Sequence, residues 1–302
     1  GAETLGSINA ILSDKTGTMT RNDMALASMI LGGGTSLEWE TNQDKPAPWR
    51  AFLAHALPAI PEDSKNPTDR ALLDVGAGIV PASQRRPGEL IRQLGFARGE
   101  GYRSLTYRKG DETRLFITGS PSFVLEHSTR WLEDQVLHDL TPEGREEVLQ
   151  QVERMAAQGR RVVAYAYGPP PPDGEEPGDL IFAGCAALED PIREGVREAV
   201  DRLRTAGVRT VMVTGDKAAT ARQVAREVGL GVETVAGSEL ADLSEEELGA
   251  RLSAVDVFAR VTPEQKLRLT EALKGRGEVV AVTGDGINDA PALRPAHIGV
   301  AM

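Results

Sequence analysis

The sequence predicts an α/β protein in which a doubly wound parallel sheet carries an inserted α+β domain built on an antiparallel sheet. Two observations support this. From about Asp190 onward, short β-branched runs alternate with helix-like segments, the pattern of a parallel sheet with helices on both faces. A further strand candidate of that sheet, Ile8–Leu12, stands at the opposite end of the chain, so the residues between are expected to leave and return at one place. The expected division is 1–23 with 191–302 for the discontinuous domain and 24–190 for the insertion.

Taken in order, Ile8–Leu12 runs into Ser13-Asp14-Lys15-Thr16-Gly17-Thr18. Gly32–Gly34 is a candidate exit to the insertion and Asp190-Pro191 a candidate return hinge. Inside the insertion, Tyr102–Arg108 and Thr113–Thr118 read as two strands joined at Lys109-Gly110-Asp111, a hairpin turn. Thr141–Gln158 reads as a helix, with Pro142 in its first turn and Gly159 past its end. Pro169–Pro172 and Asp173-Gly174 form a surface loop before the strand Leu180–Ala187.

Beyond the return, Asp190 is expected to cap a helix with Pro191 in its first turn. Val196, Val200 and Leu203 share one face, and Gly207 ends it. The strand Val208–Thr214 and the helix Ala218–Val228, closed by Gly229, follow. Ser244 with Glu247 and Thr262 with Gln265 read as capping boxes, the second with Pro263 at the first helical position. Glu278–Thr283 is the last expected strand, and there is no internal repeat.

Composition narrows the function. The 302 residues suffice for two domains, and the net charge of −11 argues against a nucleic-acid partner, since phosphate backbones attract clustered Lys and Arg. Cys185 is the only cysteine, which excludes an intrachain disulfide and a cysteine metal cluster. The first seven residues have neither the basic nor the apolar segment of a signal peptide. No apolar run approaches the ~20 residues that span a bilayer.

Three polar turns each follow a predicted strand: Asp14-Lys15-Thr16-Gly17-Thr18, Thr214-Gly215-Asp216 and Thr283-Gly284-Asp285-Gly286-Ile287-Asn288-Asp289. Ligands of doubly wound sheets bind at the carboxyl ends of the strands, so the three turns are expected to form one site. Its chemistry suits phosphoryl transfer. The Asp14 carboxylate can attack phosphorus and hold it as an acyl phosphate. Repulsion between carboxylate and phosphate calls for Mg²⁺ on hard oxygens, for which Asp14, Asp285 and the Thr16 carbonyl are candidates. Thr18, Thr214, the Gly215 amide and Asn288 can donate hydrogen bonds to the transferring group, and Lys266 can supply a point charge. Each piece alone is ordinary: a Thr-Gly-Asp is usually a turn, and a Lys near a helix start is usually solvated. Their conjunction at three strand ends is what points to chemistry.

Ser13-Asp14-Lys15-Thr16-Gly17-Thr18-Met19-Thr20 resembles the phosphorylation signature of P-type cation-transporting ATPases, which usually have Leu at the Met19 position. Thr283–Asp289 with Ala290-Pro291 resembles their hinge motif. Asp190-Pro191-Ile192-Arg193, Thr214-Gly215-Asp216 and Thr262-Pro263-Glu264-Gln265-Lys266 fall in the family's order. The resemblance implies a haloacid-dehalogenase-like phosphorylation domain with an inserted nucleotide-binding domain, and Mg²⁺ and ATP as ligands.

Carried over, Asp14 is the expected nucleophile and Asp285 the principal Mg²⁺ carboxylate, with Asp14 and Thr16 completing the metal's protein ligands. Lys266, Thr214, Thr16, Thr18, Gly215 and Asn288 are expected around the phosphoryl group, and Asp289 at the metal site. On the nucleotide side the resemblance implies Arg193 and Asp216, with Asp69 (in Asn66-Pro67-Thr68-Asp69) at the base's amino group and Phe96 stacked on adenine. It further implies Thr118, Gly119 and Arg161, although the family has Lys-Gly-Ala where this chain reads Thr118-Gly119-Ser120. In related soluble phosphatases a second Asp stands two residues after the nucleophile as acid/base. Here that position is Thr16, so the acyl phosphate is expected to hydrolyse slowly, as suits a pump.

The absence of a His-Pro pair disfavours the heavy-metal branch, and Glu3–Ser7 resembles the approach to this domain in calcium- and proton-type pumps. The chain is expected to be a soluble excerpt from the cytoplasmic face of a longer pump, whose actuator domain and transmembrane helices lie elsewhere in the same chain. A soluble phosphohydrolase of the same superfamily and a catalytically silent nucleotide-binding module are the alternatives.

Overall fold

The computed structural model describes residues 6–40, 47–95, 101–133, 136–172, 175–284 and 289–302. The chain divides into two compact units, 1–23 with 190–302 and 24–189.

The first unit holds a six-stranded parallel sheet in the order Thr234–Ala236, Val257–Ala259, Arg209–Val213, Ala10–Asp14, Val280–Gly284, Ile298–Ala301. Its strands are apolar on both faces because helices cover both. Val211 and Val213 point into one core with Leu248, Leu252, Leu269 and Leu273 of the helices Glu245–Ala254 and Pro263–Gly275. Met212, between them, points into the other core with Val200, Ala221 and Val224 of Val196–Thr205 and Ala218–Val228. The N-terminal strand lies centrally, with Asp14 level with Val213 and Ser13 level with Thr283. That register brings three strand ends to one edge.

Both expected capping boxes form, with Ser244 and Thr262 accepting from the amides of Glu247 and Gln265. The first strand lies two residues later than expected, at Ala10–Asp14. The helix expected from Asp190 begins only at Val196, after Gly195. The reason is competition for backbone partners: Ile192 bridges to Thr20, and Pro191 O and the Arg193 amide bond to Arg21 and Met19. Asp190 therefore caps no helix.

The second unit is built on a mainly antiparallel sheet in the order Ser36–Glu38, Ala25–Ile30, Leu180–Glu189, Arg161–Gly168, Glu112–Gly119, Tyr102–Lys109, Glu89–Leu94. A branch, Ser128–Glu133, pairs parallel with Leu180–Glu189 and antiparallel with Val136–Asp139. The helices Ala47–Ala56 and Pro67–Ala77 pack on one face, and Pro121–Glu126 with Pro142–Ala157 on the other. The Tyr102–Gly119 hairpin turns at Gly110 as expected. Gly32–Gly34, the candidate exit, instead lies inside this unit, in the turn between its first two strands. No helix among the described residues is long and apolar enough to cross a membrane.

Candidate active site

Asp14 ends the central strand and is buried. Lys266 Nζ donates to Asp14 Oδ1 at 2.6 Å and to Asp289 Oδ1 at 2.6 Å. Thr262 and Pro263 fix the start of the helix that presents Lys266 in its first turn. Burial pulls the Lys266 pKa down, but the charges and hydrogen bonds of Asp14 and Asp289 outweigh it, so the ammonium is held above its ordinary value. Asp289 is almost fully buried and lies where a side chain at position 284 would begin. A Cβ on Gly284 would meet Asp289 Oδ2 at 2.1 Å, so only glycine leaves room for that carboxylate.

The loop after Asp14 is not a regular helix: Thr16 is extended and Gly17 has φ 75°. It is held from outside. Arg193 donates from Nε to Thr20 O at 3.0 Å and from Nη2 to Gly17 O at 2.9 Å. The buried Lys15 ammonium lies 2.7 Å from Asp216 Oδ2 and 3.9 Å from Asp190 Oδ2. Asp190 in turn accepts from the Thr20 hydroxyl at 2.5 Å and the Asp23 amide at 3.3 Å. Two residues expected on the nucleotide side, Arg193 and Asp216, are thus engaged with the loop after Asp14. Sequence reasoning assigned no role to Lys15, and read the Asp190 side chain as a helix cap rather than as a partner of this loop. The signal available was a lysine flanked by two acidic turns at neighbouring strand ends.

Thr214 is buried, and its hydroxyl accepts from the Asp216 amide at 3.1 Å, which shapes the second turn around Gly215. Thr18 Oγ1 is buried with no hydrogen-bond partner among the described residues. Such a group is costly unless a ligand or water completes it. Asp285 and Asn288 lie outside the described residues. The oxygens that are described, the Asp14 carboxylate and the Thr16 carbonyl, are the hard donors Mg²⁺ takes. That ion needs only one or two carboxylates beside water and phosphate oxygens, so the residues present fit it.

In the second unit, Asp69 is a buried counter-ion. Arg103 forks onto it, Nη1 to Oδ2 at 2.8 Å and Nη2 to Oδ1 at 3.0 Å, and Ser64 Oγ donates to Oδ2 at 2.5 Å. Arg103 stands opposite Thr118 in the hairpin register, so this cation lies across the strand pair from the position that lacks the family's lysine. Sequence reasoning missed it, because an arginine in a strand carries no signal until the register is known. The Thr118 hydroxyl is buried, and burial together with the Asp69 charge pushes the neighbouring Tyr165 phenol upward. Arg161 begins its strand at the surface, and Phe96 lies outside the described residues.

Residues 8–297 match the haloacid dehalogenase-like hydrolase family. The chain is 34% identical over 335 residues to calcium-transporting ATPase 1 of Schizosaccharomyces pombe, an alignment covering 99% of this chain and 36% of that protein. It is 33% identical over 315 residues to calcium-transporting ATPase 1 of Lactococcus lactis, covering 99% and 36%. It is 37% identical over 342 residues to probable cation-transporting ATPase F of Mycobacterium tuberculosis, covering 99% and 38%. The chain thus spans little more than a third of the length of these relatives. With the match running from the first strand to His297, the chain belongs to the haloacid dehalogenase-like hydrolases and is similar along its length to calcium- and cation-transporting P-type ATPases.

Proposed function

We propose that the chain is the catalytic portion of an ATP-driven cation pump and that Asp14 accepts the γ-phosphoryl group of ATP. One observation carries this: a buried carboxylate at the end of the central strand, bonded to a lysine that also holds a second buried carboxylate. In the proposed step an Asp14 oxygen forms a bond to the γ-phosphorus, the bond to the bridging oxygen breaks, and ADP leaves with that electron pair. Lys266 donates to Asp14 and offsets charge on the transferring group. The Thr18 hydroxyl, buried with no partner among the described residues, can donate to a phosphoryl oxygen. Mg²⁺, held by Asp14 and the Thr16 carbonyl and expected also on Asp285, would lower the repulsion between carboxylate and phosphate.

Thr16 supplies no carboxylate for activating water, which favours a lasting acyl phosphate over the turnover of a soluble phosphatase. On the nucleotide side, Thr118, Gly119, Arg161 and Phe96 remain the proposed contacts. Asp69 could read a base only by giving up part of its fork with Arg103. Membrane helices, an actuator domain and a position on the cytoplasmic face belong to the same proposal and rest on the transporters named above. Incubation with Mg²⁺ and γ-labelled ATP tests it. The label should survive acid, be released by hydroxylamine and be absent from Asp14→Asn; label retained in that variant would remove Asp14 as the nucleophile.

A further inference from the structure

The second unit holds a cavity of about 480 Å³ at the turn end of the Tyr102–Gly119 hairpin, walled by that hairpin and by the helices Ala47–Ala56 and Ala82–Arg85. Arg103, Thr118 and Gly119 lie at the other end of the same strands. Arg103 to Lys109 is six residues, or roughly 20 Å along a strand. The lining residue nearest those contacts along the strand, Phe116, is two residues from Thr118.

Its chemistry is specific. The inner wall is aromatic. Tyr107 and Phe116 meet edge to face at 5.8 Å, Phe116 leans on Tyr167 at 6.1 Å, and His55 stacks flat on Tyr167 at 4.2 Å. Burial and the nearby Arg114 charge lower the His55 pKa to about 4, so its ring is neutral at physiological pH. The rim is cationic. Arg114 lies over the Tyr167 ring, its guanidinium carbon 6.0 Å from the centroid, and Lys109 stands beside it. Among the described residues neither forms an ion pair, and Lys109 stands opposite Glu112 in the hairpin register. Lys109 and Arg114 bring two positive charges to one cavity. Glu112, also on the rim, offsets one of them and leaves a single positive charge to be matched. Ser83 and Gln84 add a hydroxyl and an amide.

We propose that this cavity is a binding site for a small aromatic monoanion: a planar ring system against Tyr107, Phe116 and His55, with one carboxylate between Arg114 and Lys109. A pocket of this volume is of the size that holds a compact organic ligand. Arg114 offers a fork for a carboxylate and is already oriented by the ring beneath it.

The probe is 1-naphthoate, titrated into the 302-residue chain beside its neutral amide and followed by backbone-amide and histidine-ring NMR shifts. The expected result is saturable one-site binding with shifts centred on Ser83, Gln84, Tyr107, Arg114 and the His55 ring. The amide should bind at least ~10-fold more weakly, the cost of losing one charge-assisted pair. Arg114→Gln, at an exposed position, should weaken naphthoate by a similar factor. Shifts that scatter without saturating would overturn the proposal, as would binding of acid and amide alike or an unaffected Arg114→Gln. Shifts centred on Gly119 and Arg161 that ATP displaces would mean that the probe occupies the nucleotide contacts and would also overturn it. Phosphorylation of Asp14 enters none of these outcomes, so this site and the phosphoryl-transfer proposal fail separately.

Discussion

Lys266 Nζ stands 2.6 Å from Asp14 Oδ1, although the two residues are 252 positions apart in the chain. The contact exists because the N-terminal strand lies at the centre of a sheet built otherwise from the C-terminal part of the chain. The same ammonium reaches Asp289 Oδ1 at 2.6 Å, so one lysine neutralises part of the charge of two buried carboxylates.

Lys266→Ala leaves Asp14 and Asp289 facing each other without their cation. Breaking a buried pair costs about 3–5 kcal/mol, and urea unfolding should show a loss of that order together with loss of phosphorylation. Adding Asp14→Asn to the lysine variant removes one of the stranded charges and should recover part of the stability but none of the label. Losses that simply add would mean that the two side chains are not coupled.

Gly284→Ala tests the packing of Asp289. The new Cβ would meet Asp289 Oδ2 at 2.1 Å, so the carboxylate must move away from Lys266. A cost of about 1–3 kcal/mol is expected, with phosphorylation reduced more than ATP binding. Equal stability and phosphorylation would show that Asp289 can move at no cost.

His55 gives stability a pH dependence of definite sign. Its folded pKa, about 4, lies below the ordinary 6.5. Between those values the unfolded chain binds the proton first, so this contribution is complete above pH 6.5 and is lost as pH falls toward 4. The expected loss is roughly 2–3 kcal/mol over that window, relative to His55→Gln. Unfolding free energies measured at several pH values check this, and parallel curves for the two proteins would contradict it.

Asp69→Asn breaks the fork with Arg103 and strands a buried guanidinium. A loss of about 3–5 kcal/mol is expected in unfolding of the second unit, while Asp69→Leu combined with Arg103→Met should cost much less. If Asp69→Asn alters nucleotide binding and leaves stability unchanged, Asp69 is a ligand rather than a counter-ion.

Much of this was legible in the chain because local rules and long-range order agree there. The capping boxes at Ser244 and Thr262 follow from side-chain to amide bonds three residues apart, and the hairpin about Gly110 follows from two β-rich runs and a turn. The strand ends bearing Asp14 and Thr214 were readable because polar turns there follow apolar runs. What was not legible depends on partners far away in the chain. Residues 190–193 look like a helix start but pair with Thr20 and its neighbours instead. Lys15 with Asp216, and Arg103 with Asp69, are ion pairs that only the assembled sheets bring together. The strands Thr234–Ala236 and Val257–Ala259 are three residues long, too short for alternation to announce them.

The most direct test of the central claim is to reduce the ATP-treated chain with borohydride, which turns an aspartyl phosphate into homoserine, and to locate the change by peptide mass spectrometry. Homoserine should appear at position 14, require Mg²⁺ and ATP, and vanish in Lys266→Ala. Homoserine at another aspartate, or ATP hydrolysis with none at position 14, would contradict the assignment of Asp14 as the phosphoryl acceptor.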